Sequence, residues 1–394
     1  MAEKKFTFYG VDNGEAVLIS LDDERHVMFG TKQRTENAED TDKTADVHAS
    51  LLKTLPKDER TNRRHISVFC LSHSHLDHCQ GADRVFRLPG IKQEDSEDLI
   101  QIDELWVTAA IFDEDASGPV EAIKKEAKRR LKLYANPKSG QNPEEKGNML
   151  VVFGKNDAID DLKKLPSLRN PVAGEVFNRI CGEVQSDWEA FMHCPFYYII
   201  REGDEEKIDA NNKSLILQIV VKDGDSSARL LIGGDAGCAT WKTVNKTTKK
   251  NKNADRLKWD IFFAPHHGSY KFFTEKEHEE GHDEAQNNPD GDAMEILNRG
   301  EENAWIVCSS RPVKEDNYED GDPPHIEGIC HYREKAKDKF VCLMQHPDED
   351  NPDPLVVRLT KNGLQMLALA APRISTGSKT TGSPKHWGDA WICL

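Results

Sequence analysis

The sequence predicts an α/β fold, in which strands and helices alternate through most of the chain. Short apolar runs bounded by turn formers open the chain and recur as far as residue 308, as expected for strands. Charged amphipathic stretches between them are typical of helices. No segment repeats at a period of roughly 20–50 residues, which excludes solenoids and propellers.

The chain opens with three predicted strands and a helix. The strands are expected at Phe6–Tyr9, Ala16–Ser20 and His26–Phe29. Turn formers at 12–14 and 22–23 separate them, as hairpins require. Residues 31–44 are polar and are predicted to be a loop. A helix is expected over Ala45–Leu55, because Pro56 cannot continue it.

The rest of the chain adds more strands and a charged helical region. Further strands are predicted at Ile66–Leu71, Leu105–Ala109, Phe196–Ile200, Leu215–Val221, Arg229–Ile232, Ile261–Phe263 and Trp305–Cys308. Residues 110–195 are more helical and more charged, so we expect a helical insertion that packs on the core. Residues 275–292 are acidic and almost free of apolar side chains, which predicts a mobile loop.

Composition excludes several functional classes. With 53 Lys and Arg against 69 Asp and Glu, the net charge is −16, which argues against a non-specific nucleic-acid coat but not against a local basic patch. No apolar run approaches the ~18 residues of a membrane span, so we expect no membrane contact. The first ten residues lack the apolar stretch of a signal peptide. Nine scattered cysteines predict a reducing, cytoplasmic compartment.

One segment carries an exceptional density of metal ligands. Three histidines and an aspartate fall within six residues directly after a predicted buried strand: His73, His75, Asp77 and His78. Histidine and carboxylate suit Zn, Mn or Fe. The turn after the strand directs His73 and His75 toward one metal, and the next turn directs Asp77 and His78 toward a second. A surface loop that is rich in histidine by chance is the alternative.

This segment resembles the H-x-H-x-D-H-x-x-G motif of metallo-β-lactamase-fold hydrolases, with Gly81 in its last position. Other segments are similar to the ComEC-like (competence-type) branch, here as a stand-alone soluble form. They are the Asn211-Asn-Lys-Ser214 stretch, the Gly234-Asp235 pair after a strand, the Pro265-His266-His267-Gly268-Ser269 block, and Asn317 with Pro324-His325. The resemblance spans roughly residues 6 to 345.

The resemblance implies a four-layer αββα sandwich with metals at one edge between two sheets. It implies that Asp235 bridges two Zn²⁺ ions, with Mn²⁺ as the alternative metal. His73, His75, Asp77, His78, Asp235 and His266 are the expected metal ligands. Asp77, His267 and His325 are the expected catalytic groups, although His266 and His267 exchange roles in an alternative that stays open, and His325 competes for either role.

Two departures from the family pattern stand out. The second strand of the family ends in an aspartate before a glycine, whereas Phe29 precedes Gly30 here, so a supporting carboxylate is missing from that position. The third histidine of the first metal has no convincing counterpart. His193 is the one histidine in the interval, and a buried or loop role is the alternative reading. Cys79 follows His78 and is expected to pack rather than to ligate.

The chemistry predicted from these groups is hydrolysis by metal-activated water. A phosphodiesterase or nuclease is the first hypothesis, supported by basic stretches at 124–132 and 246–258 that could steer phosphates. Ordinary solvated faces are the alternative for those stretches. A hydrolase of a carboxyl ester, amide or lactone is the second hypothesis, and a non-catalytic partner-binding module of a multi-protein system is the third.

The domain organisation follows from these assignments. Residues 1–372 are predicted to form the hydrolase domain, and residues 373–394 a flexible, Ser/Thr/Gly-rich C-terminal tail. Trp387 and Trp391 near its end favour either docking on the body of the protein or binding of a protein partner. The sequence leaves the oligomeric state open.

Overall fold

The fold was examined in a computed structural model, which describes residues 3–35, 39, 41–59, 61–113, 116–136, 140–195, 213–314 and 321–367. Two mixed β-sheets form its centre, one of nine strands and one of seven. Three predicted features lie outside the described residues: the strand at 196–200, Asn211 and Asn317 of the family resemblance, and the tail at 373–394.

The first sheet joins both ends of the described chain. Its strands are β1 (Lys5–Phe8), β2 (Val17–Ser20), β3 (His26–Phe29), β4 (His65–Leu71), β5 (Phe86–Arg87), β6 (Ile100–Thr108), β7 (Met149–Phe153), β17 (Leu355–Thr360) and β18 (Gly363–Met366). Their order is β18-β17-β1-β2-β3-β4-β6-β5, and β7 also pairs with β6. Strands β3, β4, β6 and β7 run parallel, so the ends of β4 and β6 point to one edge.

The second sheet comes from the later part of the chain. Its strands are β8 (Val176–Phe177), β11 (Trp188–Cys194), β12 (Ile216–Asp223), β13 (Ser226–Ile232), β14 (Trp259–Phe263), β15 (Gly300–Cys308) and β16 (Phe340–Cys342). The order is β16-β15-β14-β13-β12-β11-β8, and the strands from β13 to β16 are parallel. A small hairpin, β9 (Arg179–Ile180) and β10 (Glu183–Val184), stands apart.

Helices cover the outer faces of both sheets. They are α1 (Val47–Thr54), α2 (Ala82–Val85), α3 (Gly118–Ala135), α4 (Cys238–Lys250), α5 (His278–Asn287), α6 (Gly291–Leu297) and α7 (Ile326–Ala336). One apolar core lies between the sheets, a second packs the first three helices on the first sheet, and a third packs the other four on the second sheet. The predicted four-layer αββα sandwich is therefore confirmed.

The strands of the first hairpins were predicted to within one residue, because alternating apolar residues and turn formers mark them. Helix α1 also lies inside the predicted range, and the Asp46 side chain caps it by accepting a hydrogen bond from the Ala49 amide. None of the helices in the described part of the chain is both long and apolar enough to cross a membrane.

The region 110–195 differs from a helical insertion packed on the core. It contains the long helix α3, but it also supplies β7 to the first sheet and β11 to the second. The side chains of these two strands are almost all buried. They were not predicted because the charged loops around them dominate the composition of the region. This segment therefore belongs to both central layers.

The prediction of a mobile loop over 275–292 is wrong. The acidic segment forms α5 and the beginning of α6. Gly281 and Ala285 face the body of the protein, and Asp290 caps α6 by accepting from the amides of Asp292 and Ala293. Helix α5 therefore packs through two small buried residues, although it lacks a large apolar face and a side-chain cap.

A buried ion pair fixes α3 to the first sheet. Arg130 is 1% exposed and donates to Glu126 at 2.7 Å and to the carbonyls of Met149 and Ile102. We expect Glu126→Gln to lower the free energy of unfolding by about 3 kcal/mol, because it leaves a buried guanidinium without its counter-charge.

Urea denaturation tests this prediction, with Glu121→Gln as the control. Glu121 pairs with Lys125 at the surface of the same helix, so its loss is expected to cost less than about 1 kcal/mol. Equal losses in the two variants would contradict the assigned role of Glu126.

Candidate metal centre

The ligand-rich segment begins where β4 ends, at the edge between the two sheets. Ser72 and His73 follow the strand directly and are buried, and a single helical turn then carries Leu76–His78. The His78 carbonyl accepts from the Thr31 amide and the Gln80 carbonyl accepts from the Gln33 amide. These backbone bonds fix the loop against the chain that leaves β3.

Asp235 reaches the same place from the second sheet. It follows β13 through Gly233 and Gly234, and the latter adopts a positive φ of 50°. A Cβ at Gly234 would lie 3.1 Å from Ser72 Oγ and 3.2 Å from His73 Nδ1. Glycine is therefore needed there for the backbone to approach the histidine loop closely.

The side chains converge as two donor groups that share Asp235. The first group contains His73, His75 and Asp235, and the second contains Asp77, His78, Asp235 and His267. Within each group, the ligand atoms all lie within 4.8 Å of one another. His78 Nε2 is 3.1 Å from Asp235 Oδ1, and His73 Nε2 is 3.6 Å from Asp235 Oδ2, so the two carboxylate oxygens face different groups.

Several donor atoms of these groups lack a hydrogen-bond partner among the described residues. His73 Nε2, His78 Nε2 and Asp235 Oδ1 are buried and unpaired by hydrogen bonds. Buried polar atoms are normally satisfied, and imidazole nitrogens beside carboxylate oxygens form a donor set for Zn²⁺ or a similar cation. The residues at this edge therefore fit a metal site.

The electrostatics of the site keep its aspartates ionised. Burial raises the pKa of Asp235, but His267, His78 and His73 outweigh it and hold that pKa well below its usual range. Burial likewise opposes a low pKa at Asp77, where His78 and the hydrogen bond from His267 prevail. The same pairing raises the pKa of His267 to about 9 against the effect of burial, and it raises the pKa of His78.

These shifts predict that metal binding releases protons. His78 and His267 carry protons at pH 7 in the metal-free protein because their pKa values are raised, and a cation must displace them. We expect metal affinity to rise by about tenfold per pH unit for each displaced proton, and the contribution of His267 to level off above about pH 9. Calorimetric titrations in buffers of different ionisation enthalpy measure this release, and buffer-independent heats would contradict it.

Of the twin histidines, the structure places His267 rather than His266 in a donor group, which is the alternative that the sequence left open. His267 is 4% exposed, and its Nε2 lies 3.0 Å from Asp77 Oδ2 and 3.5 Å from Asp235 Oδ1, inside the second donor group. His266 belongs to neither donor group, its Nε2 lies 4.0 Å from Asp235, and its side chain is more exposed, at 17%. Both residues have left-handed backbone angles, a conformation that residues other than glycine rarely adopt.

His325, an expected catalytic group, belongs to neither donor group in the described part of the chain. It is 1% exposed, and its Nδ1 lies 3.2 Å from Ser269 Oγ and faces the Tyr270 amide. The His325 amide also donates to the Gly268 carbonyl. The hydrogen bonds of His325 therefore stabilise the loop that carries His266 and His267.

Two residues that were considered as metal ligands, His193 and Cys79, have structural roles. His193 is buried, and its two ring nitrogens face Thr248 Oγ1 and the Arg256 carbonyl, so the alternative to a ligand role is supported. Cys79 is fully buried, and its thiol donates to the His75 carbonyl. Neither belongs to a donor group in the described part of the chain.

A residue that the sequence reasoning missed is Glu15. Its side chain is fully buried, and its Oε2 lies 2.8 Å from Ser72 Oγ and 3.2 Å from His78 Nδ1. It supplies the carboxylate that appeared to be missing after β3. The detectable signal was an acidic residue two positions before β2, a strand whose four residues are all buried.

The predicted basic rim at 246–258 is largely neutralised. Acidic partners pair with four of its side chains: Lys246 with Asp292, Lys249 with Glu295, Arg256 with Glu189, and Lys258 with Asp255. In the other basic stretch, Arg129 and Arg130 bind Glu126. A further donor group of Cys238, Glu275 and Asp290 is bridged by Lys242, whose ammonium already supplies a positive charge there.

Comparisons with known proteins add a distant structural likeness. The chain is similar to the crystal structure of the class B3 di-zinc metallo-β-lactamase LRA-12 from an Alaskan soil metagenome. The identity is 12% and the TM-score 0.27, with 63% of this chain and 70% of that chain covered. This likeness is too weak to carry an argument. No family model matches the chain, and no curated protein matches it.

Proposed function

We propose that the protein is a binuclear metal-dependent hydrolase that cleaves phosphodiesters, and that it belongs to the ComEC-like branch of metallo-β-lactamase-fold enzymes. The observation that carries the proposal is the pair of donor groups that share Asp235. Two adjacent cations at such groups supply Lewis acidity and generate a nucleophile from water at neutral pH. Zn²⁺ fits the histidine-rich donors, and Mn²⁺ is the alternative.

The side chains of the site divide the remaining work. His73, His75, His78 and His267 would hold the metals together with Asp77 and Asp235, whose side chains form the two donor groups. Asp77 is 32% exposed and ionised, so it would also orient a water molecule for attack. His266 would contact the substrate, since its Nε2 lies 4.0 Å from Asp235 and outside both donor groups.

Two lysines near the site favour an anionic substrate. The Lys32 ammonium donates to the Asn13 carbonyl at 2.7 Å, and burial lowers its pKa while the charges of Asp12 and Asp77 oppose that shift. Lys271 lies close enough to His266 to help lower the pKa of that imidazole, after burial and His267. The chain as a whole carries a net charge of −16, which disfavours the approach of an anion. Lys32 and Lys271 oppose this effect locally and attract phosphate to the donor groups.

The choice of a phosphodiester over other esters rests on this charge and on the sequence resemblance. The Pro265–Ser269 block and Ser214 support the competence-type branch, and Ser214 Oγ lies beside Gly234 in the structure. The cytoplasmic location and the protein partner of the C-terminal tail stay predictions.

A substrate panel tests the proposed activity. Protein that has been loaded with Zn²⁺ or Mn²⁺ is incubated with single- and double-stranded DNA, RNA, cyclic nucleotides and bis-p-nitrophenyl phosphate. We expect metal-dependent cleavage of at least one phosphodiester. If a carboxyl ester, amide or lactone is cleaved while every phosphodiester stays intact, the substrate class is wrong.

The non-catalytic alternative is tested with the same protein. If no substrate is cleaved and His73→Ala leaves the biological activity of the protein unaltered, a partner-binding module explains the chain better than an enzyme. His48→Ala is the matched control, because His48 is bonded to the Asp98 carbonyl and lies outside both donor groups.

A further inference from the structure

We infer that Glu15 is a positioning residue that fixes the tautomers of both His73 and His78, and so directs their Nε2 atoms toward the metals. The inference rests on the proposed metal-dependent function. It adds to that function a carboxylate that precedes β2 and is not itself an expected metal ligand. It is drawn from the contacts of Glu15, Ser72 and the two imidazoles.

Glu15 is held in place from several sides. It precedes β2, its amide donates to the Asp77 carbonyl at 3.3 Å, and its side chain is fully buried. Gly30, at a φ of 60°, makes room for it, because a Cβ there would lie 2.5 Å from the Glu15 carbonyl oxygen and 2.8 Å from its Cβ. A charged group buried so completely needs specific partners.

Its partners are Ser72 and His78. A carboxylate accepts hydrogen bonds and has no proton to donate, so the Ser72 hydroxyl must donate to Glu15 Oε2 across their 2.8 Å contact. His78 Nδ1, at 3.2 Å from the same oxygen, must likewise carry a proton. The proton-free nitrogen of a neutral His78 is then Nε2, which faces Asp235.

Ser72 extends this control to the second histidine. Because its single proton is committed to Glu15, the Ser72 oxygen is left as an acceptor, with His73 Nδ1 3.3 Å and His78 Nδ1 3.2 Å away. His73 therefore keeps its proton on Nδ1, and its Nε2 faces Asp235 in the first donor group. One carboxylate thus orders one ligand of each group.

The arrangement differs from a supporting acid at the end of β3, where Phe29 and Gly30 stand. In this chain, the carboxylate lies one hairpin earlier, and the glycine after β3 serves to admit it. A metal-binding histidine usually donates its second ring N–H to a nearby acceptor. Removing that acceptor typically weakens metal binding by roughly 10- to 100-fold.

The test compares Glu15→Gln with Glu104→Gln in the absence of substrate. Glu104 is an equally buried acid, bonded to Trp106 Nε1 and Arg169 away from the donor groups, so it controls for loss of a buried charge. We expect Glu15→Gln to weaken Zn²⁺ binding, measured by chelator competition, by about 10- to 100-fold relative to that control.

A spectroscopic readout separates positioning from simple destabilisation. Long-range ¹H–¹⁵N correlations of the zinc-loaded protein should show His73 and His78 protonated at Nδ1, and Glu15→Gln should move these Nδ1 proton resonances upfield, because an amide accepts a weaker hydrogen bond than a carboxylate. Unchanged Nδ1 proton resonances, or zinc affinity within twofold of the control, would overturn the inference. Neither readout uses a substrate, so an error in the proposed reaction would not affect it.

A second variant keeps the test open if Glu15→Gln does not fold. Ser72→Ala leaves the contact of Glu15 with His78 intact and removes the contacts of Ser72 Oγ with His73 Nδ1 and His78 Nδ1. We expect the Nδ1 proton resonance of His73 to move more than that of His78, for which Glu15 still accepts, and one metal equivalent to bind more weakly. If the His73 Nδ1 proton resonance does not move in this variant, the link through Ser72 is wrong.

Discussion

Replacing Asp235 by Asn is expected to abolish hydrolysis and to disrupt both metal sites at once. Its two oxygens face different donor groups, at 3.1 Å from His78 Nε2 and 3.6 Å from His73 Nε2. An amide offers one oxygen acceptor and no charge, so it cannot serve both groups. We expect kcat/KM to fall by at least about 10³-fold, equivalent to about 4 kcal/mol of transition-state stabilisation.

Metal analysis and kinetics of the same variant check this expectation. Asp260→Asn is the matched control, because Asp260 is an aspartate of the second sheet that pairs with Arg229 outside the donor groups. The control should keep its metal content and rate. A full metal complement and a normal rate in Asp235→Asn would show that Asp235 does not bridge the two groups.

The second large effect separates the twin histidines. We expect His267→Ala to lose metal from the second donor group and to lose at least about 100-fold in kcat/KM, equivalent to about 2.7 kcal/mol. The reason is that His267 lies between Asp77 and Asp235. His266→Ala should keep its metal content and show a smaller loss, through KM or kcat, because His266 lies outside both groups.

Parallel measurement of metal content and kinetics in the two variants distinguishes the assignments. The opposite outcome, in which His266→Ala loses metal and His267→Ala keeps it, would restore the order predicted from the sequence. His331→Ala serves as the control, because His331 is bonded to the Ala285 carbonyl on a different surface.

The strand pattern and the ligand-rich segment could be predicted because both are local. Alternating apolar residues located β1 to β3, and the spacing of His73, His75, Asp77 and His78 after a buried strand indicated metal ligands before any fold was known. Helix α5 was missed because its order depends on Gly281 and Ala285 packing against other elements, which its acidic composition does not reveal.

Features that depend on backbone geometry or distant contacts could not be predicted. Which of His266 and His267 joins a donor group depends on two consecutive residues with left-handed backbone angles, which the sequence does not reveal. Glu15 is distant in sequence from every motif and reaches the site because β2 and β4 flank β3. The sequence indicated that the lysines of 246–258 are free to bind phosphate. In the fold, Asp292 and Glu295 of α6 pair with Lys246 and Lys249.

The central claim is that two donor groups on a shared aspartate hold a pair of cations. An anomalous-scattering map, collected at the absorption edge of zinc from crystals of the zinc-loaded protein, tests it most directly. We predict two peaks separated by about 3.5–4 Å, one on each side of the Asp235 carboxylate. A single peak, no peak, or zinc found instead at Cys238, Glu275 and Asp290 would contradict the account.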